Sequence, residues 1–270
     1  MLNLRKFIEY ADPEDSSFLY GTTVRAVSKW VAGEDFLNEQ RQLLSYLDDY
    51  DLAPLLNEGS DERQLSTLKN RLSSVSNKGI GFAIAPYLFI WNIRRFDKYS
   101  EYSCFDIVKY FSELNGFFDD NKSYFVLFKD NHLRFNPVPH DNVRSLYQLF
   151  NEKLKEIGIG QNEYVGLMKL THLINPYAFP IIDNDIAKGV KLIGSKNDFL
   201  SIEKCVQWHS LVSACISGFH ENETTDFEKL GVSLVRALDL ALMHYRIEPS
   251  AYSKASNKNK FHIRSLGFKI

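Results

Sequence analysis

Apolar residues recur at helical spacing along most of this chain. Phe36, Leu37, Leu43, Leu44 and Leu47 fall three to four residues apart, with acids and glutamines between them, and predict a surface helix with one buried stripe. Asp48 to Asp51 and Pro54 then break the pattern. Leu65, Leu68 and Leu72 mark another helix, closed by the polar stretch from Ser73 to Gly81. From Phe82 to Phe96 the residues are apolar on all sides until Arg94 and Arg95, which predicts one buried helix. Pro86 either kinks that helix or marks its first turn. One hairpin signal occurs: the apolar runs Tyr124 to Phe128 and Leu133 to Phe135 flank Lys129 to His132 and predict a small β-hairpin.

Beyond Pro137 and Pro139 the helical spacing resumes. Asp141 is placed to cap a helix carrying Val143, Leu146, Tyr147, Phe150 and Leu154, which runs into Gly158, Ile159 and Gly160. A second helix carries Val165, Leu167, Met168, Leu170 and Leu173 and stops at Asn175-Pro176. After Asp183 a third carries Ile186, Val190 and Ile193. Thr225 to Glu228 form a capping box ahead of Leu230, Leu234, Leu238, Leu242 and Tyr245. The pattern predicts a mainly α protein in three parts. Residues 1–136 make an N-terminal helical part with the hairpin, 137–248 a second helical part, and 249–270 a basic tail.

Composition narrows the chemistry. The 270 residues suffice for a sizeable core, and 20 Phe and 14 Tyr supply large side chains to fill it. A net charge of −2 gives no global attraction to nucleic acid, so any such contact must be local. One candidate patch is 249–270, with Lys254, Lys258, Lys260, Arg264 and Lys269 and no acid; a solvated tail is the plainer reading. Three cysteines (Cys104, Cys205 and Cys215) with no C-x-x-C pair exclude a four-thiolate iron–sulfur cluster and argue against structural zinc. No cofactor and no metal is expected, and this cysteine usage fits a reducing cytoplasm. The start Met1 to Lys6 lacks a secretory apolar core, and the run from Ile80 to Ile93 is too short to span a bilayer. Nothing in the sequence sets an oligomeric state.

The candidate chemistry lies in one arrangement: helix, Gly-Ile-Gly turn, helix, apolar loop, Asp, helix. Gly158 and Gly160 allow a tight reversal and close approach. Amides after the turn, at a helix N-terminus, suit a phosphate. The apolar approach from Phe179 to Ile182 places one carboxylate, Asp183, at a helix start. That residue reads either as a functional group in a partly desolvated place or as an ordinary N-cap.

This arrangement resembles the helix–hairpin–helix DNA glycosylases. The family hairpin reads roughly Leu-Pro-Gly-Val-Gly-x-Lys or Ser, against Glu156-Ile157-Gly158-Ile159-Gly160-Gln161-Asn162 here. A later segment like Phe-Pro-Ile-Leu-Asp-Gly-Asn-Val, found in adenine-mismatch glycosylases, matches Phe179-Pro180-Ile181-Ile182-Asp183-Asn184-Asp185-Ile186. The resemblance covers residues 141–195. It implies a helix–hairpin–helix glycosylase-like helical core and double-stranded DNA as partner. The implied activity is excision of a damaged, mismatched or modified base, in repair or in defence against modified foreign DNA. Asp183 would stabilise the sugar cation. Gly158, Gly160 and Gln161 would meet phosphate, and Arg94 and Arg95 are further candidates for DNA contact. Departures are the missing Leu-Pro, a longer interval between turn and Asp, and Asn162 where bifunctional members place a lysine. Asn162 in place of that lysine implies a monofunctional enzyme, with Lys169, further along the same helix, as the backup nucleophile. His172, His209, His220 and Trp91 read as packing residues. The rival readings are a non-catalytic DNA-binding module and a helical interaction protein with no nucleic-acid role.

Overall fold

The computed structural model describes residues 18–53, 56, 61–190, 192–194, 198–217, 233–236, 238 and 239. They fall into two compact units that interleave in sequence. The first holds the described residues up to Lys129 together with Leu149–Gly166; the second holds Asp130–Gln148 and the described residues from Leu167 onward. The described fold is mainly α-helical, and no strand occurs among the described residues.

In the first unit run α1 (Phe18–Ala32), α2 (Leu37–Asp49), α3 (Glu62–Ser73), α4 (Ile80–Trp91), α5 (Ile93–Ser100), α6 (Ile107–Asp120) and α7 (Lys122–Val126). Helix α4 is its axis. Every residue from Ile80 to Ile90 is buried, including Pro86 inside the helix. A helix apolar on all sides must be enclosed, and α1, α2, α5 and α6 all pack on it. Gly81 is needed for the fit on α6: a Cβ there would lie 2.6 Å from the Phe111 carbonyl and 2.7 Å from the Asn115 amide.

The single helix expected over Phe82 to Phe96 is two. The chain leaves helical geometry at Asn92 (φ −123°, ψ 29°), whose N–H still donates to the Leu88 carbonyl at 2.9 Å. Helix α5 then starts on a new axis, so Arg94 and Arg95 open a helix rather than close one. Its Ile93, Phe96 and Tyr99 are buried. Phe96 is ringed by Phe89, Tyr99, Phe105, Tyr110 and Phe111 at 5.4–6.3 Å between centroids. These contacts fix which face α5 shows to solvent.

The β-hairpin expected at Tyr124 to Phe135 is not formed. Its first arm is α7, and burial follows a spacing of three: Phe125 and Phe128 are buried while Leu127 is 70% exposed. Phe125 packs among Trp30, Phe117, Phe118 and Phe150 at 5.3–6.4 Å. That aromatic anchorage outweighs the strand preference of an aromatic and β-branched run. What remains of the second arm is one antiparallel bridge between His132 and Asn136.

The two units share α8 (His140–Ile157) and α9 (Tyr164–Ile174), each contributing residues to both. The second unit adds α10 (Asn184–Gly189) and α11 (Ile202–Ser217). Asp141 lies in the first turn of α8 and pairs with Arg144 at 3.3 Å, and the Pro139 carbonyl accepts the Val143 N–H. Helix α10 is shorter than the run to Ile193 suggests, and the Leu192 amide closes it on the Ala187 carbonyl at 2.8 Å. Leu234 and Leu238 are buried. The capping box at 225–228, His220, Leu242, Tyr245, Met1 to Lys6 and the basic segment 249–270 lie outside the described residues. Among the described residues no helix is long and apolar enough to cross a membrane.

Helix α6 is capped by Asp106, which accepts from the Val108 and Lys109 amides at 2.9 and 3.0 Å and pairs with Arg71 at 2.6 Å. Asp106→Ala is expected to cost about 1 kcal/mol, the usual value of such a cap, read as a lowered urea midpoint with unchanged m-value.

Candidate functional site

In the first unit the glycine turn and α5 come together. Helix α8 ends on the turn. The Gly158 amide donates to the Leu154 carbonyl at 3.0 Å, and the Gly160 amide to the Lys155 carbonyl at 3.2 Å. Both glycine N–H groups are therefore spent on closing α8. Gly158 and Gly160 thus offer no amide of their own to an anion. The two glycines also have different reasons to be glycine. Gly160 has φ +75° and supplies the left-handed turn. Gly158 is needed for space, because a Cβ there would lie 2.7 Å from the Tyr99 hydroxyl, 2.8 Å from the Leu154 carbonyl and 3.0 Å from Glu163 Oε1.

Helix α5 supplies the positive charge. Lys98 Nζ donates to Gln161 Oε1 at 2.9 Å, and Arg95 Nε lies 3.8 Å from Glu163 Oε2. Arg94 is exposed beside them on α5. Two cations of one helix, Arg95 and Lys98, thus meet residues at the turn more than sixty positions away in sequence, and Lys98 is one that the sequence did not single out. Asn162, at the position of the family lysine, is exposed and lies ahead of α9 rather than within it; its Oδ1 accepts from Asn151 at 3.0 Å. Trp91 packs against Tyr87 and Tyr20 at 4.7 and 6.4 Å, and Asn92 marks the α4–α5 break. An open groove of about 340 Å³ between α6 and α8 carries Glu113, Asp120, Glu152 and Glu156 against a single Lys153. Its charge has the wrong sign for phosphate.

Beneath the turn sits a carboxyl that the sequence reading also missed. Glu163 is 2% exposed, wedged between Gly158 and Gly166, with Oε2 3.0 Å from where a Gly166 Cβ would be. Its Oε1 has no hydrogen-bond partner among the described residues. Burial pushes it up to about 7, against a smaller downward pull from Arg95.

The second unit positions Asp183. The loop from Asn175 to Asp183 is irregular and buried for most of its length, so its carbonyls need partners from outside the backbone ladder. Three ring nitrogens provide them. His172 Nδ1 meets the Phe179 carbonyl at 2.6 Å, His209 Nε2 meets Ala178 at 3.0 Å, and Trp208 Nε1 donates to Ile181 at 3.0 Å. A carbonyl only accepts, so each of these histidine nitrogens carries its proton. Burial holds His172 down to about 3, helped by the Arg236 charge, and His209 down to about 4. Both rings are neutral at ordinary pH and work as fixed donors.

At the end of this strap Asp183 is half-buried. Its Oδ1 accepts the Ile186 N–H at 2.7 Å, capping α10. It also belongs to a charged cluster. Asp239 is buried and accepts from Arg236 Nη1, while its Oδ1 has no hydrogen-bond partner among the described residues. Burial pushes Asp239 up to about 6; Arg236 and Lys169 draw it down, and the Asp183 charge raises it further. Lys169 is 8% exposed. The two residues that the resemblance nominates for chemistry, Asp183 and Lys169, therefore share one electrostatic neighbourhood with the Arg236–Asp239 pair. The segment carrying that pair is tied to the start of the strap by Ser233 Oγ, which donates to the Pro176 carbonyl at 2.8 Å. Among the described residues no group of three or more His, Cys, Asp or Glu is placed to hold a metal ion. Burial raises the Cys205 thiol to about 12, which removes it as a nucleophile.

The two glycines are expected to respond differently to alanine. Gly160→Ala costs about 1 kcal/mol for a left-handed Cβ, whereas Gly158→Ala costs about 1–3 kcal/mol through overlap with three oxygens, both read by urea unfolding. For Glu163 the folded value lies above the unfolded one. Its contribution is full below pH 4.5 and is lost as pH rises toward 7. Glu163→Gln is thus expected to match the wild type at pH 4 and to exceed it by on the order of 2–3 kcal/mol at pH 8, measured as a difference in unfolding free energy.

No family model, no curated protein and no solved structure matches this chain, so a functional reading rests on the turn, the strap and the two charge clusters themselves.

Proposed function

We propose that this protein is a monofunctional DNA N-glycosylase acting on a damaged, mismatched or modified base in double-stranded DNA. The observation that carries the reading is the convergence at Asp183. A segment picked out in sequence by its likeness to the glycosylase carboxylate loop is held rigid by three ring donors and ends beside Lys169 and a buried ion pair. In support, the turn that follows α8 is flanked by Arg95 and Lys98, as backbone-tracking phosphate contacts require.

The chemistry then follows. The glycosidic bond is shielded in the stacked duplex, so the nucleotide must be extruded. As the C1′–N bond breaks, its electron pair leaves with the base and positive charge develops on the sugar. A preorganised carboxylate at Asp183 stabilises that charge. Water adds to C1′ and gives up a proton, the base takes one up, and an abasic site remains. Lys169, whose charge acts on the same Asp239 carboxyl as Asp183, is the candidate nucleophile should a lyase step follow.

A second reading is favoured by one specific observation: Asp183 Oδ1 is engaged as an N-cap, and a cap requires no catalysis. On that reading the protein is a DNA-binding module that keeps the turn and α5.

Asp183→Asn separates the two, since Asn caps a helix about as well as Asp but carries no charge. The expected outcome is a loss of about 10²-fold or more in abasic-site formation. Duplex affinity, and its steep decline with added salt, should be unchanged. Tight salt-dependent binding with no base release from any of a broad panel of modified duplexes would assign the module instead.

A further inference from the structure

We propose that Glu163 is the built-in counter-ion of Arg95, and that a DNA phosphate takes its place, so that this carboxyl sets how strongly the α5–turn surface holds a duplex. The inference rests on the duplex-binding part of the function proposed above and adds a residue and a proton to it.

The geometry of the pair carries the argument. At 3.8 Å the Arg95 Nε–Glu163 Oε2 contact is too long for a hydrogen bond, so the attraction is coulombic and leaves the guanidinium donors available. The two partners also differ in freedom. The Arg95 side chain is 26% exposed and its guanidinium sits 6.0 Å over the Tyr99 ring, whereas the Glu163 side chain is 2% exposed. Gly158 and Gly166 hem the carboxyl in on both sides, and the Glu163 backbone N–H is held by Asn151 Oδ1 at 3.2 Å. Arg95 can swing outward to a phosphate; Glu163 cannot follow.

A buried carboxylate deprived of its counter-ion is costly and neutralises by taking a proton. Phosphate binding at Arg95 is therefore linked to protonation of Glu163. The groups around it are consistent with a single dominant partner. Helix α5 contributes Arg95 and Tyr99, and α6 contributes Tyr110, on which the Arg95 charge also acts. From helix α8 the neutral Asn151 side chain accepts the Glu163 backbone N–H, and α9 offers Gly166. Arg95 is the charge that bears on Glu163, and burial brings its titration to about 7, inside the range where a proton is readily exchanged.

The test is duplex affinity against pH for the full chain and for E163Q, by fluorescence anisotropy at fixed low salt. It is paired with a carbon-13 NMR titration of the Glu163 carboxyl with and without a short duplex. Wild-type affinity should fall about three- to tenfold more than that of E163Q between pH 6 and pH 8.5, and the Glu163 titration should move to higher pH when the duplex is bound. Titrating histidines act equally on both proteins and cancel in the comparison. Parallel pH profiles for the two proteins, with a Glu163 titration that the duplex leaves in place, would overturn the proposal while leaving duplex binding intact. Absence of salt-dependent binding by either protein at any pH would overturn the duplex reading and the proposal with it.

Discussion

The first unit is organised by the need to enclose α4. A helix with no polar face cannot lie on a surface, so its neighbours are set by what must cover it. Four helices do this, and one of them, α5, carries the basic residues that meet the glycine turn. The break at Asn92 turns the chain, and the aromatic ring around Phe96 locks α5 in place. Its Arg95 and Lys98 then meet residues at the turn that closes α8. Arg94, Arg95 and Lys98 are displayed because Ile93, Phe96 and Tyr99 are buried.

A different constraint governs the second unit. The strap that carries Asp183 is buried yet has no helix or sheet to satisfy its carbonyls. His172, His209 and Trp208 supply the missing donors. Neutral rings serve here because a buried charge would be costly, and the low values of both histidines express that cost. A strap pinned at three successive points has little freedom, and this is the preorganisation that an electrostatic role for its terminal carboxylate demands.

Buried ionisable groups occur in both units, in two different settings. Asp239 has Arg236 in direct contact and further charges around it. Glu163 has a single looser partner. The first arrangement fixes a local field, since Arg236 and Lys169 offset the two carboxylates. The second is poised, since one partner can be drawn away and one proton makes up the difference.

Much of this was legible in the amino-acid sequence. Leu65, Leu68 and Leu72, and the stripe from Val143 to Leu154, declared their helices because each buries one face at a fixed period. Asp183 announced itself as the residue that begins a helix after an apolar approach. Other features were not legible, for physical reasons. Tyr124 to Phe128 form a short aromatic and β-branched run like a strand, yet the aromatic pocket that receives Phe125 exists only in the folded unit. Asn92 breaks a helix that hydrophobicity alone carries through. The meeting of Lys98 with Gln161, of Arg95 with Glu163, and of Asp183 with Asp239 joins residues far apart in sequence, and no local pattern encodes such a pair. Glu163 looked like any solvated glutamate at a helix start. Its burial was decided by tertiary packing, because the space it fills is opened by two glycines whose lack of side chains matters only once α8, α9 and α5 have closed around it.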